Sequence, residues 1–202
     1  MDKTLRVVSF RQLIYILVLL VLGGCSKLTY QDYSNNICKV VSSHYGWRSA
    51  LSQTQKKYGI SPGLVLSVIF HESSFKAEAR PPKEKLLGFI PWQTATAYGY
   101  AQVKDETWAW YKSHNPGVFQ SRNQFPDAVD FIAWYYKMFH LRLEKEGYDD
   151  DVTAADFYLA YHDGIGGFLQ GTWREKQWVV LKAEKVAQLA EQYDQQLKQC
   201  FR

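Results

Sequence analysis

Glu72 follows directly on an almost continuous apolar stretch, Leu64 to Phe70. If a helix begins at Pro62, Glu72 stands seven, four and three residues after Val65, Val68 and Ile69. All four then share one face, and a face that apolar must point into the protein. Desolvation disfavours the charged form of a carboxyl, which keeps a proton on it and suits a general acid working near neutral pH. Periodicity leaves a second reading open, a helix-end glutamate that reaches solvent or pairs with an arginine. His71, on the adjoining helix side, reads as a packed or satisfied histidine.

The elements that must position such a group are helical. Ser61-Pro62 supplies an N-cap and a first-turn proline for the Glu72 helix. Before it, Trp47, Ala50, Leu51, Thr54 and Tyr58 recur at helical spacing, and Gly59 stands where a left-handed cap is wanted. Prolines from Pro81 to Pro91 rule out regular helix, so residues 79–98 read as a long loop rich in apolar residues, of the kind that walls or covers a binding cleft. Helices are expected from Lys104 to Tyr111, from Pro126 to Glu146, from a Thr153-x-x-Asp156 capping box to Gly164, and from Trp173 to Gln199. Strand-type alternation is scarce. The expected fold is mainly α, a single domain with a long loop over its cleft.

Composition agrees with one folded domain plus a targeting segment. Of 202 residues, 47% are hydrophobic and 22% charged, close to globular averages and unlike a disordered chain. Aromatics reach 16%, with seven Trp and fourteen Tyr, rings that fill a core or stack on sugars and bases. Lys3, Arg6 and Arg11 precede an apolar run, Leu13 to Leu22, which is shorter than the ~20 residues a spanning helix needs. The run ends in Leu22-Gly23-Gly24-Cys25, which resembles a bacterial lipoprotein signal. That resemblance implies removal of residues 1–24 and a lipidated Cys25 at the new N-terminus; a free cysteine beside an ordinary signal peptide is the plainer reading. Several acyl chains would anchor stably where one would not. Ser26 after the cysteine implies the outer membrane, with the domain on its periplasmic face and residues 25–37 as a tether to a domain of residues 38–202.

Residues 1–24 hold three of the 24 Lys/Arg and one of the 20 Asp/Glu, leaving 21 against 19 and a charge of +2. With no Lys/Arg stripe or nucleic-acid motif beside it, that charge gives nucleic-acid binding no support. Cys38 and Cys200 remain near the two ends, and in an oxidising compartment they are expected to bridge. Neither lies in a Cys-x-x-Cys or Cys/His cluster, so no metal or other cofactor is implied.

Three short motifs then add to Glu72. They are Glu72-Ser73-Ser74-Phe75, Gly99-Tyr100-Ala101-Gln102-Val103 and Ala160-Tyr161-His162-Asp163-Gly164. Their order resembles that of soluble-type lytic transglycosylases, relatives of goose-type lysozyme, over roughly residues 45–195. The first fits the family pattern Glu-Ser-x-Phe, and the other two fit Gly-Leu-Met-Gln-Ile and Ala-Tyr-Asn-Ala-Gly incompletely. The resemblance implies a lysozyme-like domain acting on peptidoglycan glycan strands, with Glu72 as the acid. Ser73, Tyr100, Gln102, Tyr161 and His162 would be its substrate-binding groups, although Ser73 could bond back to its own helix, Gln102 could cap the next one, and Tyr161 could be core. His162 and Asp163 replace the family's Asn-Ala.

Ordinary glycosidases use two carboxyls, about 5–5.5 Å apart for retention and 6.5–9.5 Å for inversion. One alone suffices for the chemistry the resemblance implies. Glu72 would protonate the oxygen linking N-acetylmuramic acid to N-acetylglucosamine, then serve as base for the muramic acid's own 6-hydroxyl, leaving a 1,6-anhydro end. Asp163 as a second carboxylate would instead make a hydrolytic muramidase, but its place before Gly164 suits a helix-end role better. A wall-binding or secretion-assembly lipoprotein without turnover is the reading from another class.

Overall fold

Ser61 accepts a hydrogen bond through Oγ from the Leu64 amide at 3.1 Å, Pro62 occupies the first turn, and a helix runs Pro62–Ser73. Every residue of that helix from Gly63 to Phe70 is buried, so its apolar run is core on all sides. The computed structural model describes residues 28, 30–82, 84–86, 90–92, 96–117, 120–148 and 151–201. In these lie helices α1 (Tyr30–Asn35), α2 (Ile37–Ser42), α3 (Trp47–Tyr58), α4 (Pro62–Ser73), α5 (Asp105–His114), α6 (Phe125–Lys145), α7 (Ala154–Gln170) and α8 (Gln177–Cys200). Strands β1 (Glu84–Leu86) and β2 (Ile90–Trp92) pair antiparallel, and a 3-10 turn, Thr172–Glu175, precedes α8.

The fold is mainly α, as the helical periodicities require. α4 lies along α8, α3 along α6, and α7 against α8. The α4–α8 approach is close enough to need glycine: a Cβ on Gly63 would overlap the Ala190 carbonyl, and the Gly63 amide donates to Asp194 Oδ1 at 2.7 Å. Phe131, Phe139, Phe157, Tyr158 and Tyr193 are fully buried among the helices, and Trp47 stacks flat on Phe125 at 3.6 Å. These rings account for much of the aromatic excess as core. Among the described residues no helix is long and apolar enough to cross a membrane.

Several boundaries differ from expectation, each for a local reason. The region read as a tether up to residue 37 is folded from Tyr30 onward: α1 occupies Tyr30–Asn35, and Asn36 opens α2 as its N-cap, its side chain accepting from the Lys39 amide at 3.0 Å. Gln196 and Tyr193 of α8 hold it, at the Ile37 amide (2.9 Å) and the Tyr33 carbonyl. Cys38 of α2 is disulfide-bonded to Cys200 at the end of α8. The helix from the Thr153 capping box does not end at Gly164. It breaks there, with φ 81° and ψ 154°, and resumes to Gln170. The last helix begins at Gln177 rather than Trp173, after the 3-10 turn. Within residues 79–98 lies the β1–β2 ribbon, and positions 83, 87–89 and 93–95 are outside the described residues. The expected signal segment 1–24 and Cys25 also lie outside them.

Candidate active site

α4 delivers Glu72 to the wall of a cleft of about 510 Å³, where Gln102, Tyr161, His162 and Asp163 also lie and where Pro81 and Ala97 bring the two ends of the long loop to the rim. The Glu72 side chain is 16% exposed. Tyr158 Oη donates to its Oε1 at 2.6 Å, and Lys182 Nζ stands 3.7 Å from the same oxygen. Both readings left open by periodicity are therefore realised in part: the carboxyl is shielded by the core, and a cation from α8 approaches it, a lysine rather than an arginine. Burial, then the negative charge of Glu72, pushes the Tyr158 hydroxyl far up, so it stays protonated and remains a donor. His71 is pushed down to about 4 by burial and then by the charges of Lys182 and Lys185, so the ring beside Glu72 is neutral.

The opposite wall is built from the glutamine motif, on backbone that few residues adopt. Gly99 has φ 81°, and a Cβ there would overlap the Arg122 carbonyl, so no other residue fits. Gln102 itself has φ 47°, and its Nε2 donates to the carbonyls of Ala79 (2.9 Å) and Gly99 (2.8 Å). It stitches the chain on either side of the long loop together and does not cap α5. Arg122 braces the same turn through the carbonyls of Val103 (2.8 Å) and Thr96 (3.0 Å). Tyr161 spans the two walls: its ring lines the cleft and its hydroxyl donates to the Ala101 carbonyl at 2.6 Å.

Two expected cleft groups lie elsewhere. Ser73 is 6% exposed, and its hydroxyl donates back to the Ile69 carbonyl at 3.0 Å, the usual alternative for serine within a helix. The Tyr100 ring packs edge-on against Trp47 and Phe125, at 6.0 and 5.6 Å, because the turn that brings Gln102 to the cleft sends Tyr100, two residues earlier, into the aromatic core.

His162 and Asp163 both reach the cleft, and Asp163 is fully engaged. Its side chain is 2% exposed. Lys176 Nζ lies 2.9 and 2.8 Å from its two oxygens, Thr172 Oγ1 donates to Oδ2 at 2.9 Å, and His162 Nδ1 is 2.8 Å from Oδ1. Burial alone would raise this carboxyl; the hydrogen bonds from Lys176, His162 and Thr172 outweigh it and hold Asp163 at about 2.

Tyr158 and Lys182 escaped the sequence reading. Tyr158 had a usable signal, since it stands three residues before Tyr161 on the face that α7 turns to the site. Lys182 had none, because only the packing of α8 beside α4 brings it to Glu72. Among the described residues no group of three His, Cys, Asp or Glu side chains is placed to hold a metal ion.

No curated protein and no solved structure matches the chain. A family model does, the transglycosylase SLT domain, over residues 13–200. With a shielded glutamate at the end of a buried helix and a cleft between it and the glutamine turn, the chain belongs to the transglycosylase SLT domain family, a membership that supports a lytic-transglycosylase type of activity on peptidoglycan.

Proposed function

We propose that the protein cleaves the β-1,4 bond between N-acetylmuramic acid and N-acetylglucosamine and leaves a 1,6-anhydromuramoyl end. Glu72 is the acid. It gives its proton to the glycosidic oxygen, and the carboxylate so formed is available as a base toward the 6-hydroxyl. The observation that carries this reading is the setting of the two cleft carboxyls: Glu72 keeps one short donor bond, while Asp163 is claimed by three side chains. A carboxylate so engaged is a poor nucleophile and a poor base for water, which argues against a two-carboxylate hydrolase. Gln102 and Tyr161 shape the cleft, the first by fixing the turn and the second by tying α7 to it.

Glu72→Gln tests the assignment, since the amide keeps the size and loses the proton. Release of anhydro-muropeptides from purified sacculi should fall by about 10⁴-fold, the upper end for general acid–base catalysis, because no second free carboxyl compensates. A rate within about tenfold of wild type would remove Glu72 from the role.

Lipidation of Cys25 after removal of residues 1–24, with anchoring to the periplasmic face of the outer membrane, completes the proposal. It is supported by the basic start, the short apolar run and Gly23-Gly24-Cys25-Ser26. Fractionation with mass spectrometry of the mature N-terminus checks it, and Met1 retained or Cys25 unmodified would overturn it.

A further inference from the structure

His162 and Asp163 have no task in the scheme above, yet they are arranged as a pair. His162 Nδ1 is 2.8 Å from Asp163 Oδ1, and a carboxylate only accepts, so the neutral ring carries its proton on Nδ1 and keeps a lone pair on Nε2. Asp163 is itself immobilised by Lys176 and Thr172, and the break at Gly164 directly after it turns the chain so that both can reach it. Trp178 meets the imidazole edge-on at 4.9 Å and limits its rotation. Among the described residues no protein group hydrogen-bonds Nε2; the side chain is 29% exposed, and His162 lines the cleft that Glu72 also lines. The position follows from helix geometry, since His162 stands one turn beyond Tyr158, the residue bonded to Glu72.

We propose that His162, oriented by Asp163, is the base of the reaction, its Nε2 taking the proton of the muramoyl 6-hydroxyl while Glu72 gives its own to the leaving oxygen. This rests on the transglycosylase reading of Glu72 and takes the second proton transfer away from that residue. The C1–O4 and O6–H bonds break, and the C1–O6 and O4–H bonds form. The C1–O4 electron pair leaves on O4, which Glu72 protonates; O6 closes on C1 as its proton passes to Nε2. The imidazolium then loses that proton to solvent and the Glu72 carboxylate takes one up, so the cycle consumes no water and leaves no net charge. Asp163 acts as a positioning residue, holding the ring and stabilising its charged form. Because hydrogen bonds keep Asp163 ionised down to about pH 2, it does so across the working range.

The test compares His162→Ala and Asp163→Asn in the full-length chain, following anhydro-muropeptide release with and without added imidazole. His162→Ala should lower kcat on the order of 10²-fold with KM within about threefold. Imidazole should restore about tenfold of that loss, because a small base can occupy the space and take the proton. Asp163→Asn should lower kcat without rescue, as its histidine still fills the site. A His162→Ala kcat within about threefold of wild type, a loss confined to KM, or no rescue by imidazole would each overturn the base assignment. If the wild type itself releases no anhydro ends, the transglycosylase reading fails instead, so the two failures are distinguishable.

Discussion

At the C-terminal end of α4, Glu72 receives one short hydrogen bond from Tyr158, with an ammonium held off at 3.7 Å on the same oxygen. At the break in α7, Asp163 takes a lysine on both oxygens, a threonine hydroxyl and an imidazole. The two carboxyls line one cleft and differ in how many donors hold them, a difference that suits the opposite roles proposed for them. A group that must gain and lose a proton keeps bonding capacity in reserve; one that must hold charge is saturated with donors.

The largest consequence of that contrast is in stability. Asp163→Asn should cost about 2 kcal/mol, because the amide keeps one acceptor oxygen where the carboxylate has two and turns an NH2 toward Lys176, which can only donate; the partial exposure of Lys176 keeps the figure below that of a fully buried pair. Glu72→Gln should leave stability unchanged or raise it, since a shielded carboxyl gives way to a neutral amide that still accepts from Tyr158. Urea unfolding of both variants compares them directly, and equal losses would erase the distinction.

A smaller effect is expected from Tyr158→Phe, which removes the short hydrogen bond to Glu72 and leaves the ring in place. Activity should fall by about tenfold, the worth of one hydrogen bond to a charged group, with unfolding little changed. An unchanged rate would show that this bond does not position the acid.

The contrast also reaches the pH dependence of stability, where the two flanking groups act in different windows. Asp163 is held at about 2 against an ordinary 3.8, so its contribution is complete above about pH 4 and is lost as pH falls toward 2. His71 is held at about 4 against an ordinary 6.5, so the unfolded chain binds the extra proton, and stability declines from about pH 6.5 down to about 4. Melting temperatures should drop in two steps on acidification. Asp163→Asn should lose only the lower one.

How much of this was legible follows the range of the interactions. Ser61-Pro62, the Thr153 capping box and the Gly59 cap act within a few residues, and each opened or closed a helix where its spelling says. Glu72 was legible because its helix face is a local pattern. Ser73 and Tyr100 were misplaced because a motif states which residues are adjacent, not which way a left-handed turn or a helix rotates them. Asn36 looks like linker and acts as a cap, so the boundary of the tether was drawn too late. Lys182 and the saturation of Asp163 depend on α8 and the 3-10 turn meeting α4 and α7, contacts between distant segments that leave no local signature.

The most direct test of the central claim is to digest purified sacculi with the full-length wild-type protein in water enriched in heavy oxygen and weigh the released muropeptides. The account predicts 1,6-anhydro ends that carry no heavy oxygen, because the 6-hydroxyl closes the ring and water takes no part. Reducing muramic acid ends bearing the heavy isotope would show hydrolysis and contradict it.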